Sequence, residues 1–132
     1  MMFSHIMLGA NDLEVSKNFY DAALGALGIK AGSFSHGRYF YRGPAGVFAI
    51  TKPLDGKEAT HANGGTIGFS AKSIDDVNTF YTSGIAHGGS SCEGEPGYRE
   101  GVAGTIYIAW LRDPVGNKIC AMHRPPQDRT KS

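Results

Sequence analysis

Apolar residues along the first half of the chain alternate between short strand-like runs and one stretch with helical spacing. Residues 3–9 form an apolar run with a polar interruption, which predicts a strand. Asp12 then offers an N-cap, and apolar residues from Val15 to Leu27 recur on one face of a helix that Gly28 is expected to stop. Three further strands are predicted at residues 29–35, 38–42 and 47–52.

The second half of the chain repeats this order after a polar stretch rich in Gly and Pro. A strand is predicted at residues 65–71, and Ser73 with Asp76 resembles a capping box for a helix that runs towards Gly84. Strands are predicted at residues 88–93, 105–112 and 118–123. Residues 113–117 supply the turn chemistry between the last two strands. The pattern therefore predicts βαβββ twice.

The two halves also match residue by residue. Residues 5–20 align without a gap on residues 66–81, and four of the sixteen pairs are identical. These are Ile6/Ile67, Ala10/Ala71, Phe19/Phe80 and Tyr20/Tyr81. We expect an α+β fold in which two βαβββ modules in tandem form a curved mixed sheet with the helices outside and a concave, ligand-binding face.

This organisation predicts one domain over residues 1–126. Module one spans 1–56, a linker spans 57–63, module two spans 64–126, and a flexible tail follows at 127–132.

Composition narrows the classes of function. The chain has 132 residues, of which 41% are hydrophobic and 19% charged, and a net charge of +1. This balance gives no electrostatic reason to expect nucleic acid or an anionic membrane as a partner. No stretch approaches the ~20 apolar residues of a membrane span, and the N-terminus has no signal-peptide pattern. With two cysteines, Cys92 and Cys120, expected to be thiols, the sequence predicts a cytoplasmic protein.

Two segments link the chain to a known family. They are HIMLGANDLEVSKNFYDAALGALG at residues 5–28 and IYIAWLRDPVGNKICAMHRP at residues 106–125. Both resemble the vicinal oxygen chelate superfamily, which includes glyoxalase I, extradiol dioxygenases and bleomycin-resistance proteins. The resemblance implies a glyoxalase-like fold, a small-molecule ligand and a homodimer. It does not fix the chemistry, because this scaffold hosts several activities.

The resemblance also implies where a metal would be bound. Related enzymes hold Zn, Ni, Fe or Mn with a His or Gln on the first strand of each module and a carboxylate on its last strand. Here His5 fills the first position and Thr66 the second, while Cys120 and, by aligning the prolines at 53 and 125, Phe48 fill the carboxylate positions. One ligand of four remains, so we expect no metal cofactor, with His5 the single candidate ligand.

Two residues are candidates for catalysis. His5 is a pocket-lining strand residue, a metal ligand or a catalytic acid–base group. Cys120 is either a nucleophile activated by His5 or a small buried residue that replaced a carboxylate. The candidate substrate-binding residues are Phe48, Thr66, Arg99 and Tyr107.

Arg99 and Tyr107 each allow a second interpretation. Arg99 lies in a predicted loop, where it either grips an anionic substrate group or is simply exposed. Tyr107 points its hydroxyl into the pocket or is buried in the core, and Trp110 is expected on the opposite face.

These observations predict a member of the superfamily that binds a small organic molecule in the concave pocket without the usual metal site. The alternative is a metal-dependent glyoxalase-like lyase or isomerase that acts on a vicinal-oxygen substrate with an atypical ligand set. A module without any ligand is a third option, and the glycine-rich strand GGTIGFS argues against it because small residues leave room. Bleomycin itself is not implied, since a near-neutral chain does not match a cationic drug.

Overall fold

The computed structural model describes residues 2–126, and the predicted tail at 127–132 lies outside them. Module one contains β1 (His5–Gly9), α1 (Leu13–Gly25), β2 (Ser33–Ser35), β3 (Arg38–Gly43) and β4 (Gly46–Thr51). Module two contains β5 (Ile67–Ser70), α2 (Ile74–Ala86), β6 (Ser90–Gly101), β7 (Gly104–Arg112) and β8 (Lys118–His123). The tandem βαβββ order is therefore confirmed, while the exact module boundaries stay a prediction.

The eight strands form two four-stranded sheets with the same topology. Their strand orders are β1-β4-β3-β2 and β5-β8-β7-β6. In each sheet the first strand of the module runs parallel to its last strand, and the other pairings are antiparallel. This confirms the α+β class and leaves β1 and β5 as edge strands of their sheets.

The ends of the helices follow the local chemistry that the sequence indicates. Asp12 Oδ1 accepts the backbone N–H groups of Glu14 and Val15 at 3.0 and 3.1 Å, which starts α1. Gly28 has a φ of 87°, a left-handed conformation that ends the helical segment as predicted. Ser73 Oγ accepts the N–H of the third residue of α2 at 3.1 Å. Neither helix within residues 2–126 is long and apolar enough to cross a membrane.

Strand β6 is longer than predicted. Residues 94–101 continue the strand, although their Gly, Glu and Pro content indicates a loop. The pairing with β7 is interrupted by a bulge between Cys92 and Gly97, which contains Pro96. Because β6 is an edge strand, a proline there breaks no central ladder. The prediction of a loop around Arg99 is therefore wrong.

One hydrophobic core joins the two modules. Helices α1 and α2 pack against each other, and Phe19 of α1 contacts a slot formed by two glycines of module two. A Cβ on Gly84 would lie 3.2 Å from the Phe19 ring and 2.4 Å from Leu111 Cδ1, and a Cβ on Gly89 would lie 2.4 Å from the same ring. Only glycine leaves space for so close an approach at both positions.

A buried hydrogen bond also crosses between the modules. The Tyr20 hydroxyl donates to Asp113 Oδ2 at 2.6 Å, and the two residues are 0% and 4% exposed. Asp113 Oδ1 accepts backbone N–H groups from the following turn at 2.9 to 3.0 Å. Burial, followed by the charge of Asp113, raises the pKa of Tyr20 well above its usual value, so its hydroxyl remains a donor at physiological pH.

We expect Tyr20→Phe to destabilise the protein by about 1–3 kcal/mol, because a buried carboxylate loses a donor. Its repeat counterpart provides the control, since the partly buried Tyr81 bonds only an exposed serine hydroxyl, that of Ser91. Tyr81→Phe should cost less than about 0.5 kcal/mol. Urea denaturation followed by circular dichroism measures both. Equal losses would contradict the role assigned to the bond between modules.

Candidate functional site

A groove of about 840 Å³ runs along the seam between the two modules. Strand β1, the segment after α1 and the β3–β4 hairpin form one side, and strand β5 forms the other. The groove does not lie on the face of one curved sheet, as the sequence predicted. The helix-covered faces of both sheets meet in one core, and the groove opens beside the edge strands β1 and β5.

The floor of the groove is aromatic and shared between the modules. Phe48 is 6% exposed, and its ring centroid lies 4.8 Å from that of Tyr20 and 5.3 Å from that of Phe69 in module two. Tyr41 also lines the groove. These rings are held by the core behind them, so the floor is preformed.

Tyr41 is fixed by a carboxylate on α1. Its hydroxyl donates to Asp21 Oδ1 at 2.8 Å, and burial together with this contact raises the pKa of Tyr41 above its usual range. Burial alone would raise the pKa of Asp21 as well, but hydrogen bonds from the Gly32 N–H, Lys17 and Tyr41 lower it below its usual value. The tyrosine is therefore a rigid, neutral part of the floor.

His5 lies at the rim of the groove. It is exposed, and its Nδ1 is 2.8 Å from Ser4 Oγ. In the sheet His5 pairs with Val47, which alternates in facing with Phe48, so the His5 and Phe48 side chains leave the sheet on opposite faces. Both residues still line the groove, because β1 is an edge strand.

The strand register corrects the fourth expected ligand position. Met7 pairs with Ala49 in the first sheet, and Gly68, the repeat counterpart of Met7, pairs with Cys120 in the second. The structural equivalent of Cys120 is therefore Ala49, and its assignment to Phe48 is wrong by one residue. The matching prolines lie beyond the strands and do not fix register, and a slip of one residue reverses the facing of a side chain.

Cys120 does not line the groove, although its Sγ would lie 3.3 Å from a Cβ on the groove residue Gly68. It is 7% exposed on the second sheet, below an ion pair between Lys118 and Glu93. Burial raises the pKa of the Cys120 thiol to about 11, with the charges of Lys118 and Glu93 acting in opposite directions. A thiol in this state is a poor nucleophile at neutral pH.

The remaining candidates lie in separate places. Thr66 lines a second, polar cavity of about 230 Å³ together with His61, Arg112 and Lys118. The Arg99 guanidinium is 5.7 Å from the centre of the Trp110 ring on β7.

Tyr107 faces the helix of its own module. Its hydroxyl donates to Asn78 Oδ1 of α2 at 2.8 Å. Trp110, three residues further along β7, is on the opposite face as predicted. Of the six candidate residues, the structure brings only His5 and Phe48 into the groove.

The donor set does not fit the metal site of the related enzymes. Within residues 2–126, no three His, Cys, Asp or Glu side chains come together in a way that could hold a metal ion. The four equivalent positions are His5, Ala49, Thr66 and Cys120, which offer an imidazole and a thiol as strong donors. Two donors from four positions are too few for a stable divalent site.

Sequence reasoning missed several residues of the groove. Phe69 follows Ile67 by two residues in a predicted strand, so alternation alone would have placed both on the same face. Lys30 and Lys72 each directly follow the end of an apolar segment, where no periodic pattern indicates a binding residue.

Two βαβββ modules around an aromatic groove define a glyoxalase-like protein, and comparison with known proteins identifies its family. The model of the Glyoxalase/Bleomycin resistance protein/Dioxygenase superfamily matches residues 2–121. The chain therefore belongs to this superfamily. No curated protein matches it.

Solved structures agree with this assignment. A glyoxalase/bleomycin resistance protein from Albidiferax ferrireducens T118 is 59% identical over 94% of this chain and 100% of its own, with a TM-score of 0.92. A glyoxalase-related enzyme from Fulvimarina pelagi is 21% identical over 99% and 95% of the two chains, with a TM-score of 0.72. A family enzyme from Burkholderia phytofirmans PsJN is 14% identical over 91% and 96%, with a TM-score of 0.68. The last two share the fold.

We expect iodoacetamide to modify Cys92 much faster than Cys120 at pH 8, because only about 0.1% of a thiol with a pKa near 11 is ionised there. The rate at Cys120 should continue to rise with pH above 9. Peptide mass spectrometry after timed quenching measures both sites. A Cys120 that reacts as fast as Cys92 would instead support the activated nucleophile.

Proposed function

We propose that this protein binds a small, largely apolar organic molecule in the groove between its modules, without a resident metal. The observation that supports this most is the preformed groove itself. Its volume of about 840 Å³ lies within the ~300–1,000 Å³ of small-molecule sites. Its floor combines Phe48, Tyr41 and Phe69 from both modules, which suits a flat or branched apolar body.

The metal-free part of the proposal follows from the donor chemistry. His5 has its Nδ1 near Ser4 Oγ, and in the part of the chain described it belongs to no group of three or more His, Cys, Asp or Glu side chains that could hold a metal. The alternative, a metal-dependent lyase or isomerase, requires a ligand set that the four equivalent positions do not supply. We therefore place it second.

We also propose that the protein acts in the cytoplasm as a homodimer. The edge strands β1 and β5 support self-association, since each has a free edge in the chain described. The buried thiol Cys120 and the half-buried Cys92, both unpaired, suit a reducing compartment.

N-phenyl-1-naphthylamine, a neutral apolar fluorophore, should bind and brighten in the groove. We expect Phe69→Ala to weaken its binding about fivefold or more, because one wall of the aromatic floor is removed. Phe34→Ala is the matched control, since Phe34 is 63% exposed and does not line the groove. Fluorescence titration measures both affinities, with thermal unfolding as a check of folding. Unchanged affinity in Phe69→Ala would refute the groove as the site.

Protein purified without a histidine tag should contain less than about 0.1 equivalents of Zn, Ni, Fe or Mn by elemental mass spectrometry. The same measurement on His5→Ala provides the control. A stoichiometric metal that is lost with His5 would overturn the metal-free proposal in favour of the lyase or isomerase.

A further inference from the structure

The Lys and Arg side chains that line the groove give it a positive charge. Lys30 and Arg42 come from module one and Lys72 from module two, and His5 lies at the same rim. No Asp or Glu of the described residues contributes to the lining. The whole chain has 13 basic and 12 acidic residues, so this excess is a property of the groove and not of the protein.

Within the described part of the chain, the rim cations Lys30, Arg42 and Lys72 also form no ion pair with an acidic side chain. The ion pairs formed within residues 2–126 are Lys17–Asp21 and Lys118–Glu93, and neither includes a groove residue. Lys30 and Lys72 are exposed, with their charges at the mouth. Arg42 lies over the Phe40 ring at 5.2 Å, which holds its guanidinium beside the hairpin. Unpaired charges of one sign around a low-dielectric cleft concentrate their field at its mouth.

The apolar floor and the charged rim select different parts of one molecule. The rings of Phe48 and Phe69 offer no charged group, so the body that contacts them is apolar. The head that reaches Lys30 and Lys72 is negative, since a cation there would meet like charges from both sides of the groove. A cationic drug would fit this groove poorly.

We propose that the ligand is an amphiphilic organic anion, namely a carboxylate or similar acid on an aromatic or branched apolar body. This inference rests on the proposed function, because it names the chemical class of ligand for the same groove. Lys30 and Lys72 bind the acid group from opposite modules, and the aromatic floor binds the body.

Two probes that share one ring system test the inference. The compound 1-anilinonaphthalene-8-sulfonate is N-phenyl-1-naphthylamine with an added sulfonate, so the comparison isolates the negative charge. At low ionic strength we expect the sulfonate to bind at least about fivefold more tightly than the neutral probe. Raising sodium chloride from about 20 mM to about 0.5 M should remove most of this difference.

Paired variants locate the charge effect. Lys30→Gln with Lys72→Gln should weaken sulfonate binding about fivefold and change binding of the neutral probe less than twofold. Lys52→Gln with Lys57→Gln removes the same charge from exposed positions that do not line the groove, and should leave both affinities unchanged. Circular dichroism confirms that each variant is folded.

The outcomes separate this inference from the proposed function. If both probes bind equally well, or if the two double variants lose sulfonate binding equally, the anion inference is overturned while the groove remains a small-molecule site. If the folded protein binds neither probe, the proposed function falls and the anion inference with it. Tighter sulfonate binding that depends on Lys30 and Lys72 supports both.

Discussion

The hydrogen bond from Tyr20 to Asp113 couples parts of the fold that are otherwise far apart in sequence. The same carboxylate accepts the N–H groups of the turn between β7 and β8, so it fixes that turn while holding α1. Asn117 donates through Nδ2 to Asp113 at 2.8 Å and to the Gly9 carbonyl at the end of β1 at 3.3 Å. The position of β1 relative to module two, and with it the width of the groove, therefore depends on one buried acceptor.

The hydrogen bonds around Asp113 break the symmetry of the internal repeat. Phe19 and Phe80 are equivalent and both fully buried. Tyr20 and Tyr81 are equivalent in sequence, yet Tyr20 bonds a buried carboxylate and Tyr81 bonds the hydroxyl of Ser91. The β3–β4 hairpin of module one is too short to contain a counterpart of Asp113. Apolar packing follows the repeat, and polar contacts are particular to each module.

Local patterns in the sequence were sufficient for the order of elements, the helix caps and the class of fold. They were insufficient for the length of β6 and for the match between strand positions, because both depend on pairing between strands. Strand β6 has loop-like composition and is a strand because β7 pairs with it. The equivalence of Cys120 with Ala49 depends on the register of the parallel pairs β1–β4 and β5–β8.

The site was predicted less completely than the fold. Phe48 was selected through an incorrect alignment, although it does line the groove. Lys30 and Lys72 are forty-two residues apart in sequence and share a groove only after the modules pack, so no local signal marks them.

The slot that Gly84 and Gly89 form for Phe19 has a consequence for how the domain holds together. A ring from one copy of the repeat completes the interior of the other, so a separated half would expose Phe19 on one side and an empty cleft on the other. The smallest cooperative unit is therefore the pair of modules, although the sequence repeats at half that length. Duplication doubled the chain without producing two independent domains.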